Sequence, residues 1–336
     1  MHLFDTIIVG GGPAGLSAAL HLGFHGRDVL VLDRRTGPLF YTLTELWNVP
    51  GFVGQTGVSI QRSLKLEAER AGAKIQSGNV MKISGQAGQF MLEMADGVVH
   101  HAKTVLLATG VARYHPLVNG EYQPWLKYAA KGNTYYCPDC EAPELLGRDI
   151  VVIGVGGANG ALGAALPLLE FARSVRLLLT GGTEFTGDFV RRQAELKLEV
   201  IVGQIASVDG GKGKVNAVVL EDGTRVEADG YYIASPKLPR HDLANQLGLE
   251  IAATGHIKTG WRGQVKLTEA AADDWLEGVW AAGDLQPQTQ QVSIASGSGN
   301  IAAVMIDQYL TKHEPRRLGL EPGAVFVPPM GMAKPH

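Results

Sequence analysis

The feature that most constrains this chain is a repeat. The stretches "DTIIVGGGPAGLSAALHLGFHGRDVLVLDRR" and "RDIVVIGVGGANGALGAALPLLEFARSVRLLLTGG" follow one plan: apolar strand, glycine turn, helix, second apolar strand. In the first, the strand runs into Gly10-x-Gly12-x-x-Gly15, and a second strand, Val29 to Leu32, ends at Asp33. In the other, Ile150 to Ile153 meets Gly154-x-Gly156, Gly157 and Asn159 follow, and Val175 to Leu179 closes the unit. The regions downstream also match without a gap. "ADGVVHHAKTVLLATG" ends at Gly110 and "EDGTRVEADGYYIASP" at Pro236, each reading as an Asp-Gly turn, a polar strand and an apolar strand returning to the sheet. Two copies of one nucleotide-binding unit therefore lie in one chain.

After the second copy, "GVWAAGDLQPQTQQVSIASGSGNIAAVMIDQYL" offers a strand, a loop and a long helix that rejoin the first domain. The expected fold class is α/β, with two Rossmann-like, three-layer ββα nucleotide-binding domains, the second inserted in the first. The expected limits are 1–114 with 244–313 for the first domain, 115–243 for the second, and 314–336 for a Pro-rich extended tail. A length of 336 residues fits two domains of ordinary size.

A strand feeding G-x-G-x-x-G and then a helix holds a dinucleotide for physical reasons. Gly10 makes the tight turn, Gly12 lets the backbone approach a pyrophosphate, and Gly15 lets helix and strand pack closely. The helix N-terminus presents unpaired N–H groups and partial positive charge to the phosphates. Asp33, 18 residues after Gly15, stands where a carboxylate takes ribose hydroxyls. The 44 glycines sit largely at strand ends, where backbone meets ligand or turns sharply.

A net charge of −3 excludes binding driven by a nucleic-acid backbone. The uncharged run Ile150 to Leu169 has five glycines, Asn159 and Pro167, so it reads as a glycine turn opening a helix rather than a membrane span. The first residues carry no signal-peptide pattern, and the expectation is a soluble, cytoplasmic protein.

Cys137 and Cys140, in "YYCPDCEAP", are the whole thiol inventory. A zinc site normally needs four ligands, so two cysteines without nearby partners close none, and no metal is expected. In a reducing compartment such a pair is read as redox-active rather than structural. Pro138 suits the first turn of a helix, and a helix begun there aims its N–H groups at the Cys137 sulfur, favouring the thiolate. Asp139, between the sulfurs, opposes that effect.

Taken together, "IIVGGGPAGLSAAL", "TELWNVPGF", "VLLATG", "CPDC" and "VWAAGDL" resemble the low-molecular-weight thioredoxin reductases, in that family's order and near its spacing. The resemblance covers about residues 4 to 312. It implies FAD in the first domain, held by Gly10, Gly12, Gly15, Asp33, Asn48, Thr109 and Gly110, with Gly283, Asp284 and Gln291 completing the site. An Arg-Gln pair of the family is Gln290-Gln291 here. The resemblance assigns Cys140 to the flavin and Cys137 to the external partner, and it places Glu141 where the family has an acidic proton donor. It also implies a homodimer.

The second copy departs from that family. Asn159 replaces the third small residue of its glycine motif, and Gly181, Gly182 and Thr186 stand where the family's arginines hold the 2′-phosphate of NADPH. Arg191 and Arg192 are the residues available to replace those arginines. Losing charge-assisted phosphate contacts, each worth ~1.5–3 kcal/mol, costs NADPH several orders of magnitude in affinity. Poor use of NADPH is therefore expected. The crevice of Gly154, Gly156, Gly157 and Asn159, with Tyr231 and Tyr232 nearby in sequence, is left for NADH, a second FAD, or nothing. Three activities stay open: reduction of a thioredoxin-like protein or small disulfide from another donor such as a ferredoxin-like protein, oxidation of a dithiol by oxygen, or non-catalytic redox sensing. The tail, with Arg316 and Arg317, is available to meet an acidic donor or cap a flavin.

Overall fold

The computed structural model describes residues 2–271 and 274–313; the tail from 314, with Arg316 and Arg317, lies outside the described residues. The chain forms two compact units. The first holds the segments up to Gly37, Gln61–Val111 and from Pro239 on; the second holds Pro38–Ile60 and Ala112–Leu238. The chain thus passes between units at 111–112 and 238–239, against expected limits at 114 and 244, and the segment Pro38–Ile60 groups with the second unit.

The first unit opens with β1 (Leu3–Val9), α1 (Pro13–Phe24) and β2 (Val29–Asp33). Pro13 starts α1 where its missing N–H is no loss, and the Ala- and Leu-rich run that follows propagates it. Gly26, at φ +69°, stops it: its N–H donates to Gly23 and that of Arg27 to Leu22, the paired bonds of a left-handed helix terminus. The chain continues through α2 (Gly57–Arg70), whose first turn falls in the second unit, then β3 (Lys74–Ser77), β4 (Val80–Ser84), β5 (Phe90–Met94) and β6 (Val99–Leu107). The polar and apolar strands expected after Asp96-Gly97 are one continuous strand, β6. Its first half pairs antiparallel with β5, while its second half joins the parallel sheet.

The second unit contributes β7 (Thr134–Tyr135), α3 (Pro138–Leu145), β8 (Asp149–Gly154), α4 (Ala158–Leu168), β9 (Ser174–Leu179), α5 (Asp188–Leu196) and β10 (Val200–Val202). An antiparallel layer, β11 (Ile205–Gly211), β12 (Lys214–Leu220) and β13 (Arg225–Glu227), precedes the return strand β14 (Gly230–Ala234). The chain then goes back to the first unit for β15 (Val279–Ala281) and the 22-residue helix α6 (Val292–His313).

The two parallel sheets have one layout. In the first unit the order is β3-β2-β1-β6-β15, and in the second β10-β9-β8-β14-β7. Along β1, Ile7 belongs to the core on one face and Ile8 to the core on the other; Ile150 and Val151 of β8 divide likewise. Burial on both faces is what turns these strands into the uninterrupted apolar runs visible in the sequence. The strand beyond the return strand has opposite origins. In the first unit it is β15, arriving from the C-terminal part of the chain; in the second it is β7, which delivers Cys137 to the carboxyl edge of its sheet.

Helix α6 lies hard against α1. A Cβ built on Gly299 would stand 2.1 Å from the Ala14 carbonyl oxygen, and one on Gly283 would stand 2.8 Å from the Ala14 Cβ. Such close approach needs glycine, and it fixes where α1 begins. Among the described residues no helix is long and apolar enough to cross a membrane.

Candidate functional site

The first glycine turn has the shape of a phosphate cradle. Gly10, at φ +114°, abuts the Ala108 carbonyl, and a Cβ on Gly15 would lie 1.9 Å from the Gly10 oxygen, so neither position has room for a side chain. A Cβ on Gly12 would meet nothing within 4 Å. Gly12 is also the N-cap of α1, and no side chain caps that helix. The N-terminal N–H groups of α1 and the open space over Gly12 together suit an anion. Asp33 reaches across the turn, its Oδ2 only 2.7 Å from where a Gly11 Cβ would stand, so Gly11 must also be glycine, a requirement the G-x-G-x-x-G spacing leaves unmarked.

Gly110, at φ +63° with open space around it, and Thr109, which donates to the Arg240 carbonyl at 2.7 Å, lie at the end of β6 in the same unit. Gly283 is held by its N–H on Ser298 Oγ at 2.8 Å, and Asp284 and Gln291 follow it in this unit. Asn48 belongs to the other unit. Two further glutamines bear on this unit: Gln61, not singled out from sequence, and Gln290, which stands where the resembled family has an arginine. Gln61 donates to the Gly11 carbonyl at 2.5 Å, and among the described residues its buried Oε1 has no partner, nor has the buried Oε1 of Gln290. The uncapped helix, the open glycine and these two orphaned acceptors fit a dinucleotide such as FAD, which would supply a two-electron carrier.

In the second unit Cys137 and Cys140 form a disulfide, with 5.3 Å between their Cα atoms. Cys137 is the N-cap of α3 and Pro138 its first residue, as the sequence suggests. The Cys140 N–H points at the Cys137 Sγ at 3.2 Å, the contact that favours a thiolate when the bond is open. Cys137 is half-exposed, whereas Cys140 is buried. Glu141 is buried at 2 % exposure and folds back over the start of its own helix. Its Oε2 accepts the N–H groups of Tyr136 at 2.9 Å and Cys137 at 3.0 Å, and its Oε1 accepts the Thr44 hydroxyl at 2.5 Å. Burial raises the Glu141 pKa, against the opposing effect of those three bonds and of Arg113. Thr44 arrives with the segment Pro38–Ile60, which also gives the Trp47 N–H to the Cys140 carbonyl at 2.9 Å. A second network backs the pair. Tyr136 Oη receives the Trp125 indole N–H at 3.0 Å and lies 2.7 Å from His115 Nδ1. Burial, then Arg113, lowers the His115 pKa. Among the described residues no group of His, Cys, Asp and Glu is placed to hold a metal.

Comparison with known proteins assigns this arrangement. The profile of the pyridine nucleotide-disulphide oxidoreductases matches residues 4–299. The chain belongs to that family. The thioredoxin reductase of Mycolicibacterium smegmatis is 30% identical over 322 residues, covering 92% of this chain and 97% of its own. The bifunctional thioredoxin reductase/thioredoxin of Mycobacterium leprae is 29% identical over 93% of this chain, which spans 67% of that longer protein. The crystal structure of thioredoxin reductase from Streptococcus pyogenes shares the fold, with a TM-score of 0.79 at 24% identity over 92% of this chain and 99% of its own. The protein is a thioredoxin reductase-like, flavin-dependent disulfide oxidoreductase, and FAD is the cofactor expected of the family.

Within this family member the second glycine turn is filled by the chain itself. The first N–H of α4, on Ala158, donates to the Gly182 carbonyl at 2.8 Å. Asn159 Nδ2 donates to Thr186 Oγ1 at 2.7 Å, and the Thr186 N–H returns a bond to Asn159 Oδ1 at 3.0 Å. The loop 180–187 is thus folded over the helix N-terminus. Pro236 stands against one side of Gly156, where a Cβ would lie 2.8 Å from the Pro236 Cδ. Arg191 pairs with Glu195 at 3.0 Å and is, like Arg192, exposed. Of the two tyrosines, Tyr231 donates into the antiparallel layer, to the Val226 carbonyl at 2.9 Å. Tyr232 instead donates to the Tyr136 carbonyl at 3.1 Å.

Proposed function

We propose that the protein uses FAD, bound over Gly10, Gly12, Gly15 and Asp33, to exchange electron pairs with the Cys137–Cys140 disulfide, and through it with a small disulfide or thioredoxin-like substrate. Its donor is not NADPH. The observation that carries the second statement is the Gly182 carbonyl on the Ala158 N–H, which puts chain where a pyrophosphate would sit. The same closure argues against NADH or a second FAD on Gly154, Gly156, Gly157 and Asn159, and leaves a ferredoxin-like protein or a substrate dithiol as the source of electrons.

The exposures of the two sulfurs support the division of labour carried by the resemblance. In the dithiol form the Cys137 thiolate attacks the outer disulfide, a mixed disulfide forms, and the first substrate thiolate leaves and takes a proton. Buried Cys140 then attacks the Cys137 sulfur, restoring the internal disulfide and releasing the second thiol; two electrons leave the protein and two substrate thiols form. Glu141, held by the Cys137 N–H, is placed to take and return the proton of this exchange. A cytoplasmic homodimer completes the reading, and sedimentation of the holoprotein tests the dimer.

The test is anaerobic. Flavin content per chain is measured, and the holoprotein is titrated with NADPH and with NADH while the flavin absorbance is followed. One flavin per chain and no bleaching by stoichiometric NADPH is expected. Full bleaching by stoichiometric NADPH overturns the donor assignment. Bleaching by a dithiol, followed by peroxide when air is admitted, would assign the physiological direction to dithiol oxidation.

A further inference from the structure

Within the second unit a cavity of about 320 Å³ lies at the carboxyl edge of the sheet, between the sealed glycine turn and the end of β14. Gly156, Ala234 and Pro236 give it apolar walls, Tyr136 and Tyr232 line it, and Arg113 and Lys237 supply positive charge. No carboxylate lines it. Arg113 is the telling residue: its Nε is buried and, among the described residues, has no hydrogen-bond partner. An unpaired guanidinium N–H withdrawn from water costs free energy unless a ligand supplies the acceptor. The larger depression of this unit, about 660 Å³ around Arg148, Arg173 and Asp229, is unlike it. There Arg173 already pairs with Asp149 at 2.6 Å and Asp229 at 3.0 Å.

The cavity is also close to the redox pair in the fold. β7 and β14 are adjacent parallel strands, with Tyr135 opposite Tyr232, and neighbouring strands run about 4.8 Å apart. Tyr136 and Cys137 follow directly on β7, while Ala234, Ser235 and Pro236 at the end of β14 line the cavity. The Tyr232 hydroxyl bonds the carbonyl of Tyr136, the residue before Cys137.

We infer that this cavity is the recognition pocket for a compact substrate disulfide or dithiol that bears a carboxylate on an aromatic or apolar body, the carboxylate meeting Arg113 and the body lying against Tyr136 and Tyr232. This rests on the reading of Cys137–Cys140 as the exchanging pair. The volume suits one small ring with its substituents rather than a dinucleotide, and a carboxylate supplies an acceptor for the Arg113 Nε–H. The exchange balances without an external redox partner: the dithiol protein and the substrate disulfide give the protein disulfide and two substrate thiols.

The test is a single turnover that needs neither flavin reduction nor a donor. Holoprotein is reduced with dithiothreitol, desalted without oxygen, and mixed with either dithiobis(nitrobenzoate), which carries carboxylates, or dithiodipyridine, which carries none; thiol release is read by absorbance. Arg113→Gln is expected to lower the second-order rate with the carboxylated probe by about 10- to 100-fold, and with the neutral probe by less than about threefold. Lys237→Gln is expected to act in the same sense and more weakly. On the unaltered protein, millimolar benzoate is expected to slow the carboxylated probe, which keeps the test available should an Arg113 variant fold poorly. An equal fall with both probes, or no slowing by benzoate, overturns the pocket and leaves the redox pair standing. Undiminished thiol release by Cys137→Ser would instead overturn the exchange chemistry on which the pocket rests.

Discussion

Gly12 and Gly15 belong to one motif, yet the structure gives the same substitution opposite consequences at the two sites. In Gly15→Ala the new Cβ would stand 1.9 Å from the Gly10 oxygen and 3.2 Å from Ile8 Cγ2. The first distance is more than an ångström short of the 3.0 Å that real contacts keep, and the obstructing atom is backbone. Gly10 is itself pinned at φ +114° against Ala108, so α1 must lift away from β1. Overpacking of this kind costs about 1–3 kcal/mol and more where backbone must move, while the better helix propensity of alanine returns about 1 kcal/mol. A net loss of roughly 2 kcal/mol is expected, a fall in melting temperature of about 4–8 °C for a domain of this size. In Gly12→Ala, φ is −83° and the Cβ enters open space. Reduced freedom of the unfolded chain returns about 0.4–1 kcal/mol and the poorer N-cap costs a similar amount, so the flavin-free protein keeps its stability to within about 0.5 kcal/mol. Its methyl group, however, fills the space over the α1 N-terminus. Losing two charge-assisted bonds of about 1.5–3 kcal/mol each lowers FAD affinity by roughly 10²- to 10⁴-fold. The assay is flavin retained per chain together with thermal melts of the flavin-free proteins. A Gly12→Ala protein that purifies with full flavin, or a Gly15→Ala protein as stable as the parent, would refute the reasoning.

Other outcomes follow from the second unit. Burial raises the Glu141 pKa, so the folded protein holds a proton that the unfolded chain releases at lower pH. The stability this proton contributes is full below the ordinary carboxylate range and is lost as pH rises through the raised value. Glu141→Gln, which keeps an acceptor for the Tyr136 and Cys137 N–H groups, should therefore gain melting temperature relative to the parent as pH rises, then hold a constant difference; a difference independent of pH would disprove this. Asn159→Ala removes both bonds to Thr186 and should cost about 1–2 kcal/mol, with faster proteolysis within 180–187 as the local readout. Cys140→Ser should accumulate a mixed disulfide with the carboxylated probe, seen as added mass at Cys137, while Cys137→Ser should not; the reverse pattern would exchange the roles of the two sulfurs.

The sequence carried the parts of this protein that depend on local pattern. Uninterrupted apolar runs marked strands buried on two faces, and glycine spacing marked the turn at Gly10. "CPDC" announced a helix beginning at Pro138 with its amides on a sulfur. What stayed hidden depends on partners distant in the chain. Gly11 reads as a filler position until Asp33 is seen 2.7 Å from its missing Cβ. Gln61 lies on a helix with nothing to distinguish it until it reaches the Gly11 carbonyl. Thr44 and Glu141 are 97 residues apart, and no periodicity in either segment couples them. Arg113 and Tyr232 line one cavity because β14 returns beside β7, which no local reading places.

The second glycine turn shows how departures read one at a time in a sequence belong to one device. Asn159 stands where a third small residue is expected and Thr186 where an arginine is, and the structure bonds these two side chains to each other. A helix N-terminus without a phosphate still has N–H groups to satisfy, and the loop 180–187 satisfies one through Gly182. Restoring one charge therefore does not restore the site. Thr186→Arg is expected to leave NADPH unable to bleach the flavin at stoichiometric concentration, because the Ala158 N–H remains on Gly182 and Pro236 still stands against Gly156. It should also lose the Asn159 Nδ2 bond to the Thr186 hydroxyl and melt lower, by about 2–4 °C per kcal/mol removed. Joining Thr186→Arg to Asn159→Gly and Pro236→Gly frees the loop, the turn and the approach together, and this combination should show the first measurable reduction by NADPH. If Thr186→Arg alone confers NADPH reduction, the loop is not what closes the site, and the missing arginine accounts for the whole difference.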